Sequence, residues 1–174
     1  EAALGISQKV VEDVKPYPFV MQPKETFIRE FLMRGVLGLG PTGTIIRRDA
    51  FDKLGGFTGT RYIGDTELWY KLALTYPVVK MVDGLIFWRQ HDDQQIVMEQ
   101  QDYNIVGIRF SHSITTLNHP YLPLSKKEKD LALKKIRRRF AIQLLQLVKQ
   151  DRFKTANQIR KSCNLSWLMI FKSI

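Results

Sequence analysis

Cysteine is nearly missing from this sequence. Cys163 stands alone, which excludes an internal disulfide and fits a reducing compartment. As a small, half-buried hydrophobe it needs no chemistry of its own. No uninterrupted apolar stretch approaches the roughly 20 residues of a membrane span. No signal-peptide pattern and no internal repeat is visible. A glycine-rich phosphate loop between a strand and a helix is also missing, because the glycines of Leu37 to Gly43 follow a predicted helix. The chain has 174 residues, 44% apolar and 25% charged, which is ordinary for one hydrophobic core.

The densest pattern runs from Gly43 to Ala73. Thr44, Ile45 and Ile46 are β-branched and predict a short buried strand. Asp49 is placed to N-cap the next turn, and Gly55 to end it at positive φ. Gly56 lets the backbone pass close to another element before Phe57 packs inward. Asp65 precedes Leu68, Leu72 and Ala73, which fall at helical spacing. A carboxylate at that helix start sits at the positive end of the dipole, which favours the ionised form that a general base needs. The same position serves a plain cap, the commoner role of such an aspartate.

The flanking segments read as support. Gln22-Pro23-Lys24-Glu25 opens a helix with Pro near its first position, and Phe27 and Phe31 continue it toward Gly35. Val78 to Val82 reads as a strand, followed by an Asp83-Gly84 turn. Gln94 to Leu117 reads as a long helix with Val97, Met98, Ile105, Ile108 and Ile114 among its apolar positions. Asn118-His119-Pro120 ends it. His112 and His119 suit surface or capping positions.

Gly43, Arg47-Arg48, Phe51, Gly55-Gly56-Phe57, Asp65, and Glu67-Leu68-Trp69 follow one another in a telling order. From about residue 25 to 95 the chain resembles the second half of a family-2 glycosyltransferase. Gly64 replaces the first acid of that family's Glu-Asp pair, and Lys71 stands where Arg is frequent. Arg89-Gln90-His91, at the end of an apolar run, resembles the Arg-x-His close of the family's core. The resemblance implies an α/β fold: the carboxy-terminal, acceptor-side half of a GT-A Rossmann-like domain with a helical carboxy-terminal extension. Residues 1–95 would belong to the catalytic domain, 96–125 to a long helix and linker, and 126–174 to a basic helical tail. The family's nucleotide-binding half and its Asp-x-Asp site have no counterpart here, since Asp92-Asp93 follows the last expected strand. The chain is therefore expected to be the carboxy-terminal part of a longer enzyme, inactive alone.

The implied reaction moves a sugar from a nucleotide-sugar donor to a hydroxyl of a glycan or lipid-linked acceptor, with inversion, as in bacterial surface polysaccharide synthesis. Asp65 is the implied base. Thr42 and Gly43 are implied substrate contacts through close backbone approach. Trp88 is implied for stacking and Arg89 for neutralising a diphosphate. His91 is the implied ligand of a divalent cation, Mg or Mn, although such hard ions prefer oxygen. Plainer roles compete: Arg89 in an ion pair with Asp65, Glu67 or Asp83, and Trp69 and Trp88 in the core. The rival from another class is a non-catalytic interaction domain with a basic helical tail.

Charge divides the chain sharply. Residues 126–174 carry 14 Lys and Arg against 3 Asp and Glu, a net of +11, while residues 1–125 carry 13 against 14, a net of −1; together these give the chain's +10. Ser125 and Glu128 form a capping box. Leu133, Ile136, Phe140, Leu144 and Leu147 make one apolar stripe. Lys134, Lys135, Arg137, Arg138 and Arg139 crowd the remaining surface. A second helix is expected from Asp151 to Ser162 with Phe153, Ala156 and Ile159 inward, before an apolar end at Leu165 to Lys172. Three readings follow. The cations are a solvated face over a packed stripe. Or they and the terminal apolar segment rest on an anionic bilayer, which makes a cytoplasmic protein peripheral on the inner face of the cell membrane. Or the tail binds nucleic acid, which charge permits but no aromatic-basic platform or reading helix supports.

Overall fold

A computed structural model describes residues 18–38, 40–82 and 102–174. Strands β1 (Phe19–Met21) and β2 (Val78–Lys80) pair antiparallel, with Phe19 opposite Lys80 and Met21 opposite Val78. Met21 is fully buried, so the short ribbon is pinned through one side chain on its inner face. Gln22 then N-caps α1 (Pro23–Leu32), with Pro at its first position as the sequence predicts. The remaining helices are α2 (Arg48–Lys53), α3 (Gly64–Thr75), α4 (Asn104–Leu117), α5 (Lys126–Lys149), α6 (Phe153–Ser162) and α7 (Trp167–Phe171). The fold is mixed α and β, mostly helical, and its sheet among the described residues is this antiparallel pair.

Three expectations need correction. Thr44 to Ile46 joins no strand among the described residues, and Ile45 is 100% exposed. Among the described residues no backbone pairs with it to complete a ladder, so β-branched side chains alone do not make a strand. Asp49 does not cap α2. Arg47 holds the N-cap position, and the Asp49 carboxylate turns back to accept from the Arg47 guanidinium. Phe153 does not point inward, being 54% exposed, whereas Ala156 and Ile159 are buried as expected. The long helix is described from Asn104 to Leu117, and its expected earlier part lies outside the described residues.

Two apolar clusters share α5. Phe27, Phe31, Leu68, Trp69 and Ala73 meet Leu117, Leu122, Leu124 and Ala132 in the first. Phe110, Phe140, Leu144, Ala156, Ile159 and Ile170 make the second. Each fully buried Phe or Leu contributes about 1.5–3 kcal/mol. The capping box predicted for α5 is present in both directions: Ser125 accepts from the Glu128 N–H, and Glu128 from the Ser125 N–H. α1 runs parallel to the first half of α5. Lys24 pairs with Glu128 at 3.8 Å near the two helix starts, and the Lys135 ammonium donates to the Leu32 carbonyl at the end of α1. In the second cluster the Phe110 and Phe140 rings stack 4.1 Å apart. None of the described helices is long and apolar enough to cross a membrane.

Candidate functional site

The site is assembled by a turn, a loop and the start of α3. At the end of α2 the Gly55 N–H bonds the Asp52 carbonyl at 3.2 Å and the Gly56 N–H bonds the Phe51 carbonyl at 3.0 Å. This is the double closure that a Schellman motif makes. Both glycines adopt positive φ, 79° and 61°. A Cβ on Gly56 would lie 2.8 Å from the Phe51 ring, so the close approach read from the sequence is real. Phe57 meets the edges of Phe51 and Trp69 at 5.6 and 6.0 Å, yet it stays 46% exposed and is only partly inward.

The next residues form a loop that two side-chain bonds among the described residues fasten. The Thr58 hydroxyl donates to the Glu67 carboxylate in α3. The Tyr62 hydroxyl donates to Asp102 just ahead of α4, and Asp102 also accepts the Asn104 N–H at 3.0 Å. The Tyr62 bond, followed by the Asn104 N–H, holds the Asp102 carboxyl below its ordinary range. Tyr62 adopts φ 70°, uncommon for a residue with a large side chain, and the Arg61 guanidinium lies 4.6 Å from its ring centre.

Asp65 lies in the first turn of α3, half-buried. Its Oδ1 accepts the Thr66 N–H at 2.7 Å and the Thr66 hydroxyl at 3.3 Å. Oδ2 accepts no hydrogen bond from the described residues. The carboxylate is therefore neither sealed beneath side chains nor fully exposed. Thr42 and Gly43 fall in a 3-10 turn, Pro41–Gly43, with Thr42 exposed and Gly43 half-buried. Among the described residues no hydrogen bond joins that turn to Asp65. Trp88, Arg89 and His91 lie outside the described residues. Trp69 is 5% exposed and belongs to the core.

A second polar feature lies on the Glu67 side of α3. A cleft of about 570 Å3 is lined by Glu67, Asn104, Ser111, His112, Thr115 and Ser162. His112, which the sequence suggested for a surface or capping position, is half-buried and lines this cleft. Its ring stacks on Tyr70, and its buried Nε2 has no hydrogen-bond partner among the described residues. Burial pushes the imidazole pKa down, and the Glu67 charge opposes that shift. Burial alone would raise Glu67, but the Thr58 and Thr60 hydroxyls and the charges of His112 and Lys71 outweigh it and hold Glu67 below its ordinary value. Behind the stack, the Tyr70 hydroxyl donates to Glu30 at 3.1 Å. The other Glu30 oxygen accepts the Val36 and Leu37 N–H groups at 2.8 and 2.9 Å. Burial, and then the Glu30 carboxylate, push the phenol far above the usual tyrosine range, so it remains a donor.

Sequence reasoning missed Glu30, Tyr70 and His112. Glu30 and Tyr70 are 40 positions apart, and neither belongs to a local motif. Chemically, the arrangement offers one partly free carboxylate at a helix start and an imidazole, its pKa lowered by burial, beside a second carboxylate. Among the described residues no three His, Cys, Asp or Glu side chains are grouped to hold a metal ion, so these residues do not by themselves furnish the expected cation site. Comparison of the chain with protein-family models, with curated proteins and with solved structures found no match.

Proposed function

We propose that this chain is the acceptor-side part of an inverting glycosyltransferase of GT-A type and that Asp65 is its general base. The observation that carries the reading is the state of one carboxylate. Asp65 is half-buried at the positive end of a 12-residue helix, with Oδ1 oriented by Thr66 and Oδ2 unengaged among the described residues. A general base needs a fixed orientation and an oxygen left to accept a proton, and the Thr66 bonds to Oδ1, with Oδ2 unengaged among the described residues, support both. The order of residues from Gly43 to Trp69 supports the choice of reaction.

In the proposed step Oδ2 takes the proton of an acceptor hydroxyl while that oxygen bonds to the anomeric carbon of the donor. The bond from that carbon to the diphosphate oxygen breaks on the opposite face, and the nucleoside diphosphate leaves with the electron pair. One displacement inverts the anomeric centre. Donor binding, with its divalent cation, would fall to a nucleotide-binding half joined to this chain, assisted by Trp88, Arg89 and His91.

The test is turnover in a polypeptide that carries both halves, followed as nucleoside diphosphate release across a panel of sugar nucleotides. Asp65→Asn keeps the shape and removes the basicity, so turnover should fall by roughly two to four decades with donor KM little changed. Near wild-type turnover in that variant would remove Asp65 from the reaction. A non-catalytic interaction domain predicts no dependence on any sugar nucleotide.

A further inference from the structure

The carboxy-terminal end of the fold carries a surface that sugar transfer does not use. Phe153 stacks on Trp167 with ring centroids 5.7 Å apart and planes 13° apart, and Trp167 meets Phe171 at 6.1 Å. Trp167 is half-buried and packs against the second apolar cluster, while Phe153 and Phe171 on either side of it stay outside. Phe153 is 54% exposed, Leu168 63% and Phe171 59%, whereas Ile170 is the residue of α7 that fills the second apolar cluster. A single exposed Leu needs no explanation, but a contiguous row of large apolar side chains does.

Cations are dense in the same segment of the chain. Arg152, Lys154, Lys161 and Lys172 are exposed, and the Arg160 guanidinium lies 5.6 Å from the Trp167 ring centre. Asp151 is the single carboxylate side chain from position 151 to 174. The outer face of α5 repeats the theme. Lys127, Lys134, Arg138 and Lys149 are exposed there, with Leu131 and Ile142 at 48% and 40% exposure between them at helical spacing.

We propose that the surface around Phe153, Trp167, Leu168 and Phe171, with Lys154 and Lys172, rests on an anionic lipid bilayer. Apolar side chains enter the acyl boundary, the indole sits at headgroup level, and the cations meet lipid phosphates. Other occupants fit less well. A nucleic-acid base needs a clear aromatic face, but Trp167 already stacks on Phe153 and carries Arg160 over its ring. A second copy of this chain would bring one strongly basic segment against another. A solvated face explains the cations but not the apolar row. The inference stands whether or not Asp65 is a base.

The test is cosedimentation of the whole chain with phosphatidylcholine vesicles, with and without phosphatidylglycerol. Binding should require the anionic lipid, fall steeply as salt shortens the screening length, and shift tryptophan emission to the blue. Leu168→Ser with Phe171→Ser should weaken binding by about tenfold or more. Lys154→Gln with Lys172→Gln should weaken it by roughly tenfold as well, and mainly at low salt. All four side chains are exposed, so circular dichroism should show unchanged helix content. The proposal fails if either variant, still helical, binds vesicles like wild type. It also fails if the blue shift survives Trp167→Phe, or if the chain binds duplex DNA or itself and ignores anionic vesicles.

Discussion

Tyr70 and His112 lie ring on ring, with 5.2 Å between centroids and 16° between planes. The pair joins α3 to α4. Its polar atoms continue outward on both sides, through the Tyr70 hydroxyl to Glu30 in α1 and through charge to Glu67 at the cleft. A proton-holding phenol and a ring kept neutral by burial thus lie between two carboxylates. This chain of groups links the first apolar cluster to the segment that presents Asp65.

Acidification should therefore act on the fold through His112. Its folded pKa lies below the ordinary 6.5 because of burial, so the unfolded chain takes up this proton more readily. The stability gained by keeping the ring neutral is whole above 6.5 and is lost as pH falls through that value toward the folded one. Glu67 is held below its ordinary 4.5, so its contribution is present above that value and is lost at still lower pH. Urea unfolding midpoints should decline in two stages as pH is lowered. His112→Phe keeps a stacking ring, leaves no buried nitrogen unpaired, and should remove the first stage alone. An unchanged pH profile in that variant would show that His112 does not titrate with folding.

Glu30 should matter more than its half-buried position suggests. It accepts three hydrogen bonds, from Val36, Leu37 and Tyr70. Glu30→Ala strands two backbone donors and a buried phenol, for a loss of about 2–4 kcal/mol by denaturant titration. Tyr70→Phe removes one bond and should cost about 1 kcal/mol. In the double variant the costs should fall short of additive by the energy of the shared bond. Full additivity would mean that the two groups do not interact in solution.

The two adjacent glycines after α2 should tolerate alanine differently. Both need positive φ, but a Cβ on Gly55 would meet nothing within 4 Å, whereas one on Gly56 would lie 2.8 Å from the Phe51 ring. Gly55→Ala should cost about 1 kcal/mol, the ordinary penalty of that backbone region. Gly56→Ala adds displacement of Phe51 and should cost about 2–4 kcal/mol. Equal melting temperatures for the two variants would contradict this difference.

Local chemistry explains which parts were readable in advance. The Ser125–Glu128 capping box, the Pro23 start of α1, the Gly55-Gly56 reversal and the α5 stripe all depend on residues within a few positions of one another. The misreadings concern partners that spacing cannot supply. Ile45 lacks a neighbouring strand among the described residues, Phe153 finds Trp167 instead of the core, and Asp49 prefers the Arg47 charge to a capping bond. His112 looked like an ordinary helix-surface residue because nothing near it in sequence announces Tyr70. At the candidate site, the position of Asp65 in the first turn of its helix was legible. The two bonds that fix the loop ahead of it were not, because Thr58 and Tyr62 carry no signature of being tied to Glu67 and Asp102.

Those two bonds yield a prediction that separates local from global stability. Tyr62→Phe removes the hydroxyl that reaches Asp102, and Thr58→Val removes the one that reaches Glu67. Neither side chain belongs to the buried core, so the global unfolding energy should change by no more than about 1 kcal/mol. The loop should nevertheless open more often, since it loses one of the two bonds that fasten it among the described residues. Amide exchange from 59 to 63 should quicken by about tenfold in either single variant, matching one lost hydrogen bond, and by more in the double variant. If Asp65 acts as the base, both variants should also slow turnover without altering how its rate depends on pH, because they disturb the position of the carboxylate and not its ionisation. Exchange that stays at the wild-type rate in both would show that the loop is held by its packing on Trp69 instead, through the edge contact of Phe57.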